Sequence, residues 1–453
     1  MNTMAVRSRI SRQTSVGCSC LLGWVLFAGS QARVHAAEAP MSPPASLSLD
    51  AAVLWAFQNN PELIAIRQQH GVAAAGIVIA DTYPFNPIME NKVRGANGPE
   101  SAGITNRVAV ESKILVDVEV RGQGRYRRQG AGAALSRADA EIATLEAGVS
   151  VRVIRAFDAF VYRRAKLRLA ERTLEVTTEA AEQVRKLVDG ARLRPADLIL
   201  ARTEIDDVRA QLSPARAAAA MAEQDLRRAL GVLGSTFEVQ GDLEPPLLDR
   251  EASDLLEEAQ RRRQDLRSRE AAVEEADARL KLEKANRFGN PNVGPAYEYD
   301  PTRVNLIGAQ FTLPLPLFNT HKGEIMQREA ELARAMLDLR QAHVQIAQDV
   351  QAALARWEAA HAWAATYRDQ VLPSLRTSVQ GIEKLFEQGD PGVDVLRVID
   401  TRRKELRARD GYLDALWEVR QARADLAAAV GDPALVIPAL RSHTPSPAVP
   451  VRP

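Results

Sequence analysis

The sequence of 453 residues predicts a mainly α-helical chain with a small β part. Three observations carry this reading. Long stretches repeat apolar residues every seven positions, the mark of coiled-coil packing. Four short segments alternate apolar and polar residues, the mark of strands with one apolar and one polar face. The whole order recurs about 200 residues later. Asn86-Pro87 is answered by Asn290-Pro291, Gly190 by Gly389, and Leu226-x-x-x-x-Gly231 by Leu426-x-x-x-x-Gly431. A repeat of that length exceeds the roughly 20–50 residues of a solenoid unit. It describes one duplicated half, ordered as short helix, two strands, very long helix, turn and long helix.

The N-terminal region reads as an export signal over residues 1–36. Arg7, Arg9 and Arg12 precede the apolar run Cys18–Gly29, and Val34-His35-Ala36 supplies a cleavage site. The run is shorter than the about 20 apolar residues of a spanning helix. Both cysteines, Cys18 and Cys20, fall inside it, so the mature chain is expected to carry no disulfide and no cysteine ligand. Its removal leaves 55 basic against 58 acidic residues, a balance that argues against nucleic acid as a partner.

Residues 37–46 read as an extended tail, and the first repeat spans 47–231. Its first helix runs from Ser48-Leu49-Asp50 to about Asp81, where Pro84 and Pro87 rule out continuation. Two strands follow over about 87–117. From Ile104 to Asp117, Val108, Val110, Ile114 and Val116 share one face, and Arg107, Glu111, Lys113 and Asp117 the other. The second repeat spans 252–431, with strands over about 291–317. There Val293, Tyr297, Tyr299, Ile307, Ala309 and Phe311 face away from Asn292, Glu298, Gln310 and Thr312. No later window holds 18 consecutive apolar residues, so entry into a membrane requires a closed barrel. Four strands cannot close a pore, so closure needs several chains.

Helices of about 65 residues, Gly124–Val188 and Lys322–Gln388, would each reach about 100 Å. Their heptads are Val153, Phe160, Leu167, Leu174 and Leu332, Leu339, Ile346, Ala353, with His343 on a companion core position. Pro214 and Pro373 are expected to kink the helices. His343 and His361 stand five turns apart, about 27 Å, too far to share an ion. The stretch Arg121-Gly122-Gln123-Gly124 lacks phosphate-loop spacing and reads as a strand-to-helix junction. No nucleophile elbow, metalloprotease motif or P-loop is present, so no catalytic residue, metal ligand or cofactor is assigned. Residues 432–453, rich in proline, read as a disordered tail.

In this order the motifs resemble the TolC-type outer-membrane efflux protein family over about residues 47–431. The marks are the two halves, Asn290-Pro291, the run Phe311-Thr312-Leu313-Pro314-Leu315-Pro316-Leu317-Phe318-Asn319, Gly323, and Leu426-x-x-x-x-Gly431. The compact loops and the PLPLF run are most similar to the heavy-metal (cobalt-zinc-cadmium) branch. The resemblance implies a homotrimer in the outer membrane of a Gram-negative bacterium. Each chain gives four strands to a twelve-strand transmembrane barrel above a helical tunnel through the periplasm. It further implies a passive exit duct, served by a periplasmic adaptor protein and an inner-membrane transporter of the RND type. On this reading Val108, Val110, Ile307, Ala309 and Phe311 face lipid, and Gly190 and Gly389 mark adaptor-docking tips. Asp394 forms a pore constriction, where the neighbouring Arg397 replaces an acid of the family's best-known member and is placed to pair with it. A helix N-cap is the alternative role for Asp394. The competing reading for the chain is a soluble periplasmic coiled-coil adaptor, which would need a β-rich middle domain that the sequence does not show.

Overall fold

The computed structural model describes residues 43–98, 101, 106–232, 237–244, 252–388 and 392–437. The export signal therefore lies outside the described residues, as do Ile104 and Gly389.

The first half opens with the two-residue strand β1 (Ser46–Leu47), helix α1 (Leu49–Asn59) and helix α2 (Pro61–Asp81). One unbroken helix was expected here, and the structure corrects it. Proline disfavours helical backbone at the preceding residue, and Asn60 is extended at φ −68°, ψ 121°. Its side chain accepts from the Glu62 amide at 2.8 Å, so it caps α2. Two strands follow, β2 (Ile88–Ala96) and β3 (Arg107–Asp117), then helix α3 (Gln123–Asp189), 67 residues long. Helix α4 (Pro195–Leu230) returns alongside it. Pro214 lies inside α4, which continues through it.

The second half repeats the plan. A two-residue strand, β4 (Glu238–Val239), pairs in parallel with β1. Helices α5 (Ala252–Arg262) and α6 (Gln264–Asn286) are again separated by one extended residue, Arg263. Strands β5 (Asn292–Tyr299) and β6 (Asn305–Thr312) lead to helix α7 (Lys322–Thr366). A π-helical turn over Tyr367–Val371 joins α7 to α8 (Leu372–Glu387), giving 45, 5 and 16 residues of near-continuous helix. The widened turn sits just before Pro373, which has no N–H to give the regular ladder. Helix α9 (Val395–Val430) closes the repeat.

Both halves end in the same device. Gly231 (φ 70°) and Gly431 (φ 73°) terminate α4 and α9 in the left-handed region. The next amides, Val232 and Asp432, reach back to the Arg227 and Ala427 carbonyls at 3.0 Å each. Each glycine sits against the helix break of its own half. A Cβ on Gly231 would come within 2.6 Å of Pro61, and one on Gly431 within 2.9 Å of Arg263. Asn60 donates to the Ala229 carbonyl at 2.9 Å, and Arg263 to the Ala429 carbonyl at 3.3 Å. Asn60 and Arg263 thus do the same job, two residues before each cap glycine.

The principal core gathers where these caps meet the middle of α3 and α7. Phe157, Ile154, Leu226, Leu230, Leu255, Ile346 and Leu426 are all but fully buried there. Two terminal expectations are corrected here. Ser46 belongs to β1 rather than to a tail, and Leu47 is fully buried. Residues 433–437 pack as well: Pro433–Leu435 form a 3-10 turn capped by Asp432, and Ile437 is completely buried. Apolar Leu435, Val436 and Ile437 drive that packing despite the flanking prolines. His343 also departs from expectation. It is exposed in the single chain, whereas Ile346 and Val350 turn inward.

Candidate functional site

The two hairpins of strands join into one antiparallel sheet in the order β2-β3-β5-β6. The register settles which residues share a face, because opposed residues in an antiparallel pair point the same way. Val93 lies opposite Val110, which lies opposite Tyr299; Met89 lies opposite Ile114. Tyr297 lies opposite Ile307, Pro295 opposite Ala309, and Val293 opposite Phe311. The five residues Val108, Val110, Ile307, Ala309 and Phe311 therefore occupy one apolar face spanning all four strands. Ile307 is 87 % exposed and Phe311 66 %, although both are large and apolar.

The opposite face is polar. Glu90 lies opposite Lys113, and Lys92 opposite Glu111, which lies opposite Glu298. Glu111 is ion-paired with Arg94 at 2.9 Å and with Lys113. Charges of both signs interleave there. Among the described residues β2 and β6 each pair on one side only, so the sheet has two open edges.

Beneath the sheet the chain turns into the long helices through joints with left-handed backbone. Gly122 (φ 74°) precedes α3, and His321 (φ 52°) takes the equivalent place before α7. Buried Gln123 donates to Asn290 at 2.7 Å, and Arg121 donates to the Gly289 carbonyl at 2.9 Å while lying over the Phe288 ring. The basic glycine stretch is a strand-to-helix junction whose arginines serve the chain itself. Arg127 closes it by pairing with Glu119.

At the far end the two helical hairpins come together. Val184 of α3, Ala201 of α4 and Val395 of α9 form a small buried cluster, with Leu187, Leu198, Phe386 and Ile399 packed on it. Arg403 bridges to Glu204 at 3.2 Å, tying one hairpin to the other. Gly190 ends α3, and Ala191 (φ 56°) turns the chain towards α4. Asp394 is the N-cap of α9, accepting from the Arg397 amide at 2.8 Å. The expected side-chain pair is not what forms: the Arg397 guanidinium donates to the Gly392 carbonyl at 3.3 Å. The short reach between an N-cap and its third helical residue favours the backbone amide. In the first hairpin the same two positions hold Arg194 and Asp197, with the charges exchanged. The Asp197 carboxylate accepts from the Arg194 amide at 3.1 Å.

One buried polar cluster was not foreseen. Asp158 on α3 is 1 % exposed and accepts from Arg420 on α9 at 3.0 Å. Burial pushes its carboxyl up to about 6, against the opposing pull of Arg420. Arg420 also donates to the Leu243 carbonyl at 3.2 Å and to the Asp242 carbonyl, and Arg423 donates to the Leu435 carbonyl at 2.6 Å. The cluster thus pins the 240s segment and the C-terminal turn onto the helices, around a cavity of about 180 Å³. Its sequence signal was an aspartate and two arginines on otherwise apolar helix faces. Among the described residues no group of three or more His, Cys, Asp or Glu stands close enough to hold a metal ion.

Residues 255–432 match the family model described as outer membrane efflux protein. The cobalt-zinc-cadmium resistance protein CzcC of Cupriavidus metallidurans is 23 % identical over 401 residues, covering 87 % of this chain and 93 % of CzcC. The second half of the chain thus matches the outer membrane efflux protein family, and the similarity to CzcC extends over both halves. Solved channels share the fold. A CusC structure aligns at a TM-score of 0.68 with 17 % identity, covering 85 % of this chain and 92 % of that one. The open-state MtrE outer membrane channel of Neisseria gonorrhoeae aligns at 0.66 with 18 % identity, covering 85 % and 89 %. The chain is accordingly a channel component of the outer membrane and not the adaptor of the competing reading. Its relatives are channel and efflux proteins rather than enzymes.

Proposed function

We propose that three copies of this chain form one duct that conducts metal cations passively from the periplasm to the outside. The observation that carries this is a sheet with one apolar face, one charged face and two open edges, standing on hairpins about 100 Å long. A single sheet of this kind cannot lie in lipid, where every backbone group needs a partner. Cyclic pairing of β6 in one copy with β2 in the next satisfies both edges and puts the apolar face outward and the charged face in the lumen.

The internal repeat supports the same closure. Within one chain α3 packs on α6 and α9 of the other half. Among the described residues the equivalent contact, α7 and α8 against α2 and α4, is not extensive. The faces it would cover are exposed and apolar: Val72, Val78 and Ile79 on α2, Ile199 and Leu200 on α4, Met336 and Val344 on α7. A neighbouring copy supplies each half with what the other half already has.

The cargo reading rests on the similarity to CzcC, whose name records cobalt, zinc and cadmium resistance. In this duct Asp394 and Arg397 ring the inner mouth, and the turns at Gly190 and Gly389 dock a periplasmic adaptor that couples the duct to an inner-membrane transporter of the RND type. A deletion strain tests the cargo. Heightened sensitivity to cobalt, zinc or cadmium, restored by the intact gene, is the expected outcome; unchanged metal tolerance with new sensitivity to organic drugs would overturn it.

A further inference from the structure

Strands β5 and β6 have 8 residues each, fewer than the about 9–11 of a typical spanning strand. At about 3.4 Å per residue and a tilt near 40°, eight residues rise about 21 Å, short of the about 25 Å apolar band of such barrels. The 11 residues of β3 are long enough. The 9 residues of β2 rise about 23 Å on the same scale, so the deficit is largest in the second half, and directly below β6 the sequence is Leu313-Pro314-Leu315-Pro316-Leu317-Phe318.

This segment has the wrong chemistry for a water-washed linker. Leu315 is 69 % exposed, Leu317 76 % and Phe318 101 %. Leu313 and Leu315 carry on the odd-numbered series Ile307, Ala309 and Phe311 of the apolar face. Pro314 turns the other way and lies against Gly289, whose added Cβ would come within 2.6 Å of its ring. The two prolines have no N–H, which removes two donors that an unpaired strand would leave unsatisfied in lipid. A third donor is satisfied locally, since the Leu317 amide reaches the Leu315 carbonyl at 2.9 Å. The matching stretch of the first half, Val118–Arg121, is built differently. Its Val118 amide extends the ladder to the Pro291 carbonyl at 2.8 Å, and it carries the charged Glu119 and Arg121.

We infer that Leu313–Phe318 is a lipid-interface anchor, seated in the headgroup and upper acyl region of the inner leaflet and completing the apolar band that β5 and β6 leave short. The inference rests on the barrel reading of the sheet. The partner is a lipid surface; a neighbouring copy of the chain is the competing occupant.

Nitroxide labels at Leu315→Cys and Leu317→Cys in the reconstituted full-length protein test it, with Ile307→Cys as the barrel reference. The unsubstituted protein, labelled in parallel, supplies the background, which is expected to be nil once the signal carrying Cys18 and Cys20 is removed. Both anchor labels are expected to collide several-fold more often with dissolved oxygen than with a water-soluble nickel chelate, as at Ile307 but at a shallower depth. Chelate-dominated collisions at 315 and 317 would overturn the anchor, as would labels shielded from both reagents, the sign of a covering copy. If Ile307 also reports water, the barrel reading itself fails.

Discussion

Ile307 and Gly308 are consecutive residues of β6 on opposite faces of the sheet, so the same charge placed at each isolates the facing from every other effect. Ile307 is 87 % exposed, and a Cβ on Gly308 meets nothing within 4 Å, so neither site is crowded. Arginine on the lipid face near the bilayer midplane destabilises a barrel by about 2–4 kcal/mol. A trimer carries the substitution three times, which brings the penalty to about 6–12 kcal/mol per assembly on that same scale. Gly308→Arg instead projects beside Ala296 into a face already bearing Lys92, Arg94 and Glu111. Extraction of outer membranes followed by electrophoresis without heating reads the assembled fraction. Ile307→Arg should lose most of the oligomer and Gly308→Arg should keep it. Equal loss or equal tolerance at the two positions would refute the facing.

Other substitutions probe the helical part. Gly431→Ala adds left-handed strain and a Cβ 2.9 Å from Arg263, and should lower stability by about 1–3 kcal/mol in thermal unfolding, whereas Gly71→Ala, with open space around it, should be neutral or mildly stabilising. The Asp158 carboxyl titrates about 6 in the folded chain against 3.8 ordinarily. The folded state therefore holds its proton longer than the unfolded one, and this group's contribution falls as pH rises from about 4 to 6, by about 3 kcal/mol. Asp158→Asn should remove that part of the pH dependence of melting, and an unchanged profile would contradict the burial argument. Arg420→Met should destabilise by about 3–5 kcal/mol at neutral pH by leaving the Asp158 carboxylate unpaired. Asp394→Asn should reduce cation selectivity in planar bilayers and Arg397→Asn should raise it; unchanged reversal potentials in both would leave Asp394 as a helix cap alone.

Periodicity and punctuation made most of the architecture legible. Leu226 and Leu426, with their following glycines, marked two helix ends that proved structurally equivalent. Alternation alone sorted Val108, Val110, Ile307, Ala309 and Phe311 onto one face, because a two-residue period leaves no freedom in facing. What escaped depended on contacts distant in sequence. Pro61 announced the break at Asn60, but the tie from Asn60 to the Ala229 carbonyl, 169 positions away, was not visible in the sequence. Arg263 breaks the second pair of helices without any proline to announce it; its ion pairs to Asp265 and Asp349 hold the bend. Asp158 and Arg420 each interrupt an apolar helix face, but only the fold shows that the two interruptions meet. Residues 433–437 carried proline signals that suggested a tail, while burial of Ile437 overrode them.

The central claim is that this chain works only as a closed assembly in the outer membrane, and the chain count of the detergent-extracted outer-membrane protein tests it most directly. Mass spectrometry under native conditions should return a single species of three chains that heating converts to one. A monomer, or a species recovered from the soluble periplasmic fraction, would contradict it.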